Sequence, residues 1–218
     1  MVPATFSGCS AGKAQSRKTS DAAAPRPARR PAPSATSSPL STESDPTTLT
    51  ITWTTRPETA ADIGAVREVN LDAFPTSAEA DLVEALRTDP AAWLPGLSWT
   101  VQTPDGTVVG FALLTRCHVD HTPALALGPC AVRTEYQRQG AGSAVIRAAL
   151  RAALEREENV VVVLGHAGYY PRFGFTPASG FGIHPPFEVS DESMMALVCD
   201  RTRPVPFGTI HYAAPFGI

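Results

Sequence analysis

The sequence has no lysine after Lys18, no apolar run long enough to cross a bilayer, and only four cysteines among 218 residues. Each shortage removes a class of function. A Walker loop needs a lysine followed by Ser or Thr after its second glycine, so that mode of phosphate binding is excluded beyond residue 18. A membrane-crossing helix takes about 20 consecutive apolar residues. Lacking such a run, the chain is expected to be soluble and cytoplasmic, with no membrane partner. Cys9, Cys117, Cys130 and Cys199 show no metal-ligand spacing, which predicts reduced thiols and no bound metal. His118, Asp120 and His121 lie close in sequence, but without a further ligand cluster they read as a solvated loop. Charge is sparse too. Six Lys/Arg and three Asp/Glu fall in residues 1–48, leaving twelve basic against eighteen acidic residues in the other 170, a balance that argues against nucleic acid as a partner.

Residues 1–48 contain 31 Pro, Ser, Thr or Ala and only four large apolar residues, Met1, Val2, Phe6 and Leu40. That is too little apolar surface to offset the entropy of ordering. The expectation is a disordered low-complexity tail over 1–48 and one folded domain over 49–218. Phe6-Ser7-Gly8-Cys9 has the outline of a lipoprotein cleavage box, yet no apolar segment precedes it. Residues near Leu49 would serve as well as Met1 for the start of a folded domain.

The most informative stretch is Leu125 to Phe175. Ala124 to Val132 is apolar and interrupted by Gly128-Pro129, which predicts a strand with a bulge. A polar loop, Arg133 to Gln139, leads to Gly140-Ala141-Gly142-Ser143, where two glycines let backbone N–H groups approach a ligand. A helix follows, with Val145, Ile146, Ala149, Leu150, Ala153 and Leu154 on its apolar face and Arg147, Arg151 and Glu155 on its polar one. Val160 to Leu164 is then a buried strand stopped by Gly165. Such a βαβ unit sets the positive end of its helix where an anionic group, most naturally a phosphate, can bind. A dinucleotide fingerprint fits poorly, because Val145 stands where its third glycine belongs and Gly165-His166 replaces the ribose-binding acid.

Around this unit the remaining chain reads as strands and helices. Thr50 to Thr55 alternates as a strand, and Thr59 to Asp62 opens a helix with Ile63, Val66, Val69, Leu71 and Phe74 on its apolar face. Ser77 offers an N-cap to a second helix that buries Ala80, Leu82, Val83 and Leu86 and turns Glu79, Asp81 and Glu84 outward. Trp99 to Gln102 and Val108 to Cys117 flank Pro104-Asp105-Gly106-Thr107, a hairpin turn. Ala178 to Val189 is a Pro/Gly/Phe-rich excursion, Ser193 to Cys199 a core strand, and Thr209 to Tyr212 a short edge strand.

Gln137-x-x-Gly140-x-Gly142 is similar to the coenzyme A pyrophosphate signature of the GNAT superfamily of acyl-CoA-dependent N-acyltransferases. In order and spacing, LALGPCAVRTEYQRQGAGSAVI, VVVLG, YYPRFGF and MMALVCD resemble a bacterial branch of predicted N-acetyltransferases in that superfamily. The resemblance spans about residues 50 to 213. It implies an α/β (α+β) GNAT fold, a mixed central sheet of about six to seven strands with about four helices and a splayed pair of parallel strands holding the cofactor. It implies acetyl-CoA as acyl donor, a primary amine of a small molecule or peptide as acceptor, no metal, and a homodimer as relatives often form. Carried over onto this sequence, Cys130, Ala131 and Val132 would bind pantetheine through their backbone, while Gln137, Arg138, Gln139, Gly140, Ala141, Gly142 and Ser143 would hold the pyrophosphate. Tyr170 would contact the cofactor and protonate the departing thiolate, a job suited to a phenol that keeps its proton at neutral pH. Phe74, Glu79 and Leu82 would face the acceptor, and His184 and Glu188 are further acceptor-side groups.

Two departures stand out. Ala124 to Val132 contains no carboxylate to serve as general base, leaving Glu79, Asp120, His121 or water, and Gln139 replaces a basic residue usual before the glycine. The missing base keeps open a second reading, a GNAT fold that binds acyl-CoA without catalysis.

Overall fold

A computed structural model describes residues 52–218. The expected tail over 1–48 and the first two residues of the expected Thr50–Thr55 strand lie outside the described residues. In chain order the strands are β1 (Thr54–Pro57), β2 (Ser98–Gln102), β3 (Val108–Val119), β4 (Thr122–Val132), β5 (Val160–Leu164), β6 (Thr176–Pro177), β7 (Ile183–His184), β8 (Met194–Val198) and β9 (Gly208–His211). Three α-helices accompany them: α1 (Ile63–Ala73), α2 (Ala78–Thr88) and α3 (Ala141–Glu155).

The sheet runs β1-β2-β3-β4-β5-β8-β6, with β9 joining the free end of β3 and β7 pairing β9. Every pairing along that main path is antiparallel except β4 with β5. Strand alternation sorts the core into layers. Ala112 and Leu114 of β3, Leu125 and Leu127 of β4, and Val161 and Val163 of β5 point to one face, against Val145, Ile146 and Ala149 of α3. Phe111 and Leu113 point to the other, against Val66 and Val69 of α1 and Val83 and Leu86 of α2. Further along that second face, Ala126, Val160, Val162, Met194 and Ile210 form another buried cluster.

Gly106 turns the β2–β3 hairpin at φ +88, as expected of that turn. The bulge expected at Gly128-Pro129 is present. Ala112 pairs with Cys130 and Leu114 with Leu127, so two residues of β4 oppose Leu113 alone, and the Gly128-Pro129 peptide is cis.

Several expectations need correction. The helices number three among the described residues, not four, and the sheet has nine strands because β6 and β7, two residues each, form inside or beside the Pro/Gly-rich excursion. Ile63 and Leu71 are 38% exposed: successive helical residues turn by about 100°, so Leu71 points well away from the buried Val66 and Val69. Leu154 is 56% exposed at the open end of α3. Glu79, expected to face solvent, is buried, because it shares the i, i+4, i+7 stripe of Val83 and Leu86.

Candidate active site

β4 and β5 pair only at Leu125–Val161 and Ala126–Val162. Beyond those pairs β5 follows β8, from Val160–Val198 to Leu164–Met194, while β4 follows β3 as far as Gly110–Val132. The two parallel strands therefore diverge. Pro129 has no N–H to offer in the region of the split, and the backbone of Cys130 to Val132 lies past the last β5 partner.

Behind the split stands the start of α3. Gly140 caps it at φ +95 and, having no side chain, gives the first amides of the helix no side-chain cap among the described residues. A Cβ on Gly142 would sit 3.0 Å from the Tyr169 hydroxyl and 3.3 Å from Val132 Cγ2, so a side chain there would crowd the strand and the tyrosine together. Arg138 is exposed and at φ +61, next to this turn.

The loop is fixed from several sides. The Trp53 indole N–H donates to the Gln139 carbonyl at 2.8 Å, and the Thr134 amide donates to Asp72 Oδ2 at 2.6 Å. Gln137 Nε2 donates to the Val132 carbonyl at 3.0 Å, and Gln139 Nε2 to the Glu135 carbonyl at 2.7 Å. Both glutamines thus spend their side-chain amides on shaping the loop, and what they offer a ligand is backbone. Trp53 and Asp72 had no signal in the sequence, since their partners lie 86 and 62 residues away.

Tyr170 closes the other side. After β5, Gly165 passes under its ring: a Cβ there would collide with Cε2 and lie 2.9 Å from Cδ2. Phe175 packs edge-on at 5.8 Å between centroids and Tyr169 at 5.3 Å, so the ring has little room to turn. Tyr169 in turn carries the Arg172 guanidinium 4.5 Å above its centroid, which adds a cation near the first turn of α3.

A narrow cleft of about 20 Å³ brings Cys130, Ala131, Val132, Gly142, Tyr169 and Tyr170 together. A larger cavity, about 200 Å³, opens on Ala126 to Gly128 of β4 and Val162 to Leu164 of β5. Of the residues expected at the acceptor, Leu82 lines this cavity; Phe74 is buried in the α1–α2 core instead, and Glu79 is buried with no hydrogen-bond partner for Oε2 among the described residues. His184 and Glu188 are exposed. Asp120 turns the β3–β4 hairpin and accepts the Thr209 amide at 2.8 Å, so it serves the β9 end of the sheet, and His121 is exposed in the same turn.

A strand split, a glycine-started helix behind it and a tyrosine across it thus meet at one cleft. Residues 64–175 match the family model of the acetyltransferase (GNAT) family. The chain belongs to that family.

Relatives agree. This GNAT chain is 39% identical over 137 residues, 61% of its length and 75% of the relative's, to the uncharacterized N-acetyltransferase YjhQ of Escherichia coli (strain K12). Its fold matches the GNAT family N-acetyltransferase YhbS of Escherichia coli, solved in complex with CoA, with a TM-score of 0.71 at 23% identity, over 77% of this chain and 93% of that one. A GNAT family acetyltransferase from Brucella melitensis, solved in complex with acetyl-CoA, matches with a TM-score of 0.61 at 26% identity, over 76% and 98%. The GNAT chain is accordingly an acyltransferase with the mixed-sheet fold of its family. Among its described residues no helix is long and apolar enough to cross a membrane, and no group of His, Cys, Asp and Glu is placed to hold a metal ion.

Proposed function

We propose that the protein transfers an acetyl group from acetyl-CoA to a primary amine by direct attack on the thioester. The observation that carries this reading is the convergence of the β4–β5 split, the Gly140–Gly142 helix start and the Tyr170 ring on one cleft. The amides from Arg138 to Ser143 hold the pyrophosphate, with Arg138 adding charge. The backbone of Cys130 to Val132 takes the pantetheine arm as a substitute strand and polarises the thioester carbonyl.

The acceptor ammonium first loses a proton to water. The amine lone pair then forms the C–N bond, the C–S bond breaks, and the departing sulfur takes the phenolic proton of Tyr170. The second proton lost by nitrogen restores the phenol. No carboxylate or imidazole side chain lines the large cavity among the described residues, which supports water rather than the side chains of Glu79, Asp120 or His121 as the route out. Arrangement of 1–48 as a tail ahead of the domain, a cytoplasmic setting and homodimer formation belong to the same proposal.

The test is amine-dependent release of free coenzyme A. In Tyr170→Phe the turnover number should fall about 10²-fold or more, with acetyl-CoA affinity changed less than about threefold. Equal turnover in wild type and variant would remove Tyr170 as the acid. Intact acetyl-CoA binding with no transfer to any amine would favour the non-catalytic acyl-CoA-binding reading.

A further inference from the structure

The net negative charge of the folded part invites a cationic acceptor such as a polyamine or amino sugar; the cavity beside the strand split says otherwise. Its 200 Å³ are bounded by small and branched apolar residues of β4 and β5, by Leu82 of α2, and by the rings of Phe187, Tyr212 and Phe216. Pro215 and Ile218 complete the wall, and no lining side chain is charged. The only side-chain polar group among them is the Tyr212 phenol, whose hydroxyl is directed at Met194 Sδ at 3.7 Å and whose pKa burial pushes upward, so it stays neutral.

We infer that the acceptor is a primary amine whose body is a single aromatic ring on a short alkyl arm. The inference rests on the acetyl-transfer reading and specifies its substrate. Three features carry it. First, a second ammonium or a ring of hydroxyls entering this cavity would lose water and meet no charged side chain, with only the Tyr212 hydroxyl and main-chain groups in its place, which is disfavoured. Second, the wall is already aromatic: Phe187 and Tyr212 lie nearly parallel, 19° apart at 6.4 Å, and Tyr212 and Phe216 are 5.3 Å apart, a setting in which another ring finds offset and edge contacts. Third, the size fits. An apolar cavity of about 150 Å³ accepts benzene, and 200 Å³ leaves space for one or two methylenes more.

The cavity also stands in the right relation to the thioester. Ala126, Leu127 and Gly128 line it, whereas Cys130, Ala131 and Val132 line the cleft on the cofactor side, so Pro129 divides β4 between the two. A ring held in the large cavity presents its amine toward that boundary. The competing occupant is a long acyl chain on the donor, and the experiment separates the two.

The measurement is kcat/KM for 2-phenylethylamine, spermidine and glucosamine with acetyl-CoA, repeated with hexanoyl-CoA as donor, alongside calorimetric binding of acetyl-CoA. Phenylethylamine should exceed spermidine and glucosamine by at least tenfold, and acetyl-CoA should exceed hexanoyl-CoA. Leu82→Glu, on a half-buried position of α2, puts a carboxylate into the wall. It should lower kcat/KM for phenylethylamine at least tenfold and leave the acetyl-CoA dissociation constant within about threefold, with an unchanged thermal midpoint showing that it folds. A preference for spermidine or glucosamine, or for hexanoyl-CoA, would overturn the inference while leaving acetyl transfer intact. Absence of acetyl-CoA binding by the wild type would overturn both together.

Discussion

A methyl group on Gly165 would occupy the space of the Tyr170 ring, and this makes Gly165 a positioning residue for the proposed acid. Its backbone is not in a left-handed conformation, so the demand is one of space alone. Phe175, Tyr169 and Phe173 block the ring from swinging aside. Gly165→Ala should therefore lower turnover by about 10-fold or more, and the double variant should be little worse than Tyr170→Phe alone, since both act on one proton transfer. Purely additive losses, measured by steady-state kinetics on the three variants, would show that Gly165 matters for some other reason. In sequence Gly165 reads only as a strand stop, because nothing local says which ring will pass over it. Tyr170 and the glycines of the loop stand out in the sequence through the resemblance of their motifs to the GNAT superfamily.

At the scale of elements, the junction of β1 with α1 is held by one carboxylate. Asp62 pairs with Arg56 at 2.6 and 2.7 Å and accepts the Thr59 hydroxyl at 2.7 Å and the Thr59 amide at 2.8 Å. The Arg56 guanidinium, ahead of the Thr59 hydroxyl and amide, holds the Asp62 carboxyl well below the usual carboxylate range. A depressed folded pKa contributes stability above the unfolded value, about 3.9, and that stability is lost as pH falls toward the folded one. Asp62→Asn should cost about 1–2 kcal/mol at pH 7 by denaturant titration, the open Arg56 end being screened by solvent, and the gap should narrow below about pH 4. A gap that stays constant down to pH 3 would exclude this linkage. The elements themselves were largely readable: the valine run of β5, the hairpin turn ahead of β3 and the amphipathic α3 each carry a local signal. The buried Glu79 was missed because its charge spoke against the stripe it shares with Val83 and Leu86, and the three-ring wall of Phe187, Tyr212 and Phe216 because its segments are apart in sequence.

For the molecule as a whole, the packed interior can be read through Cys117. It is fully buried in β3, and burial pushes its thiol up to about 12. At pH 8 it should resist alkylation in the native state and react only as the chain opens, so its labelling rate should rise with denaturant in step with global unfolding. Rapid labelling under native conditions, followed by peptide mass spectrometry, would mean that the second-face core opens locally. The central claim, however, is the acyl-CoA cradle, and calorimetric titration with acetyl-CoA tests it most directly. The account predicts a micromolar dissociation constant for the wild type, weakened at least 100-fold in a Gly140→Asp/Gly142→Asp variant that still unfolds cooperatively above the titration temperature, where two carboxylates stand in the place of the pyrophosphate. Equal affinity in the two proteins, or no binding by the wild type, would contradict it.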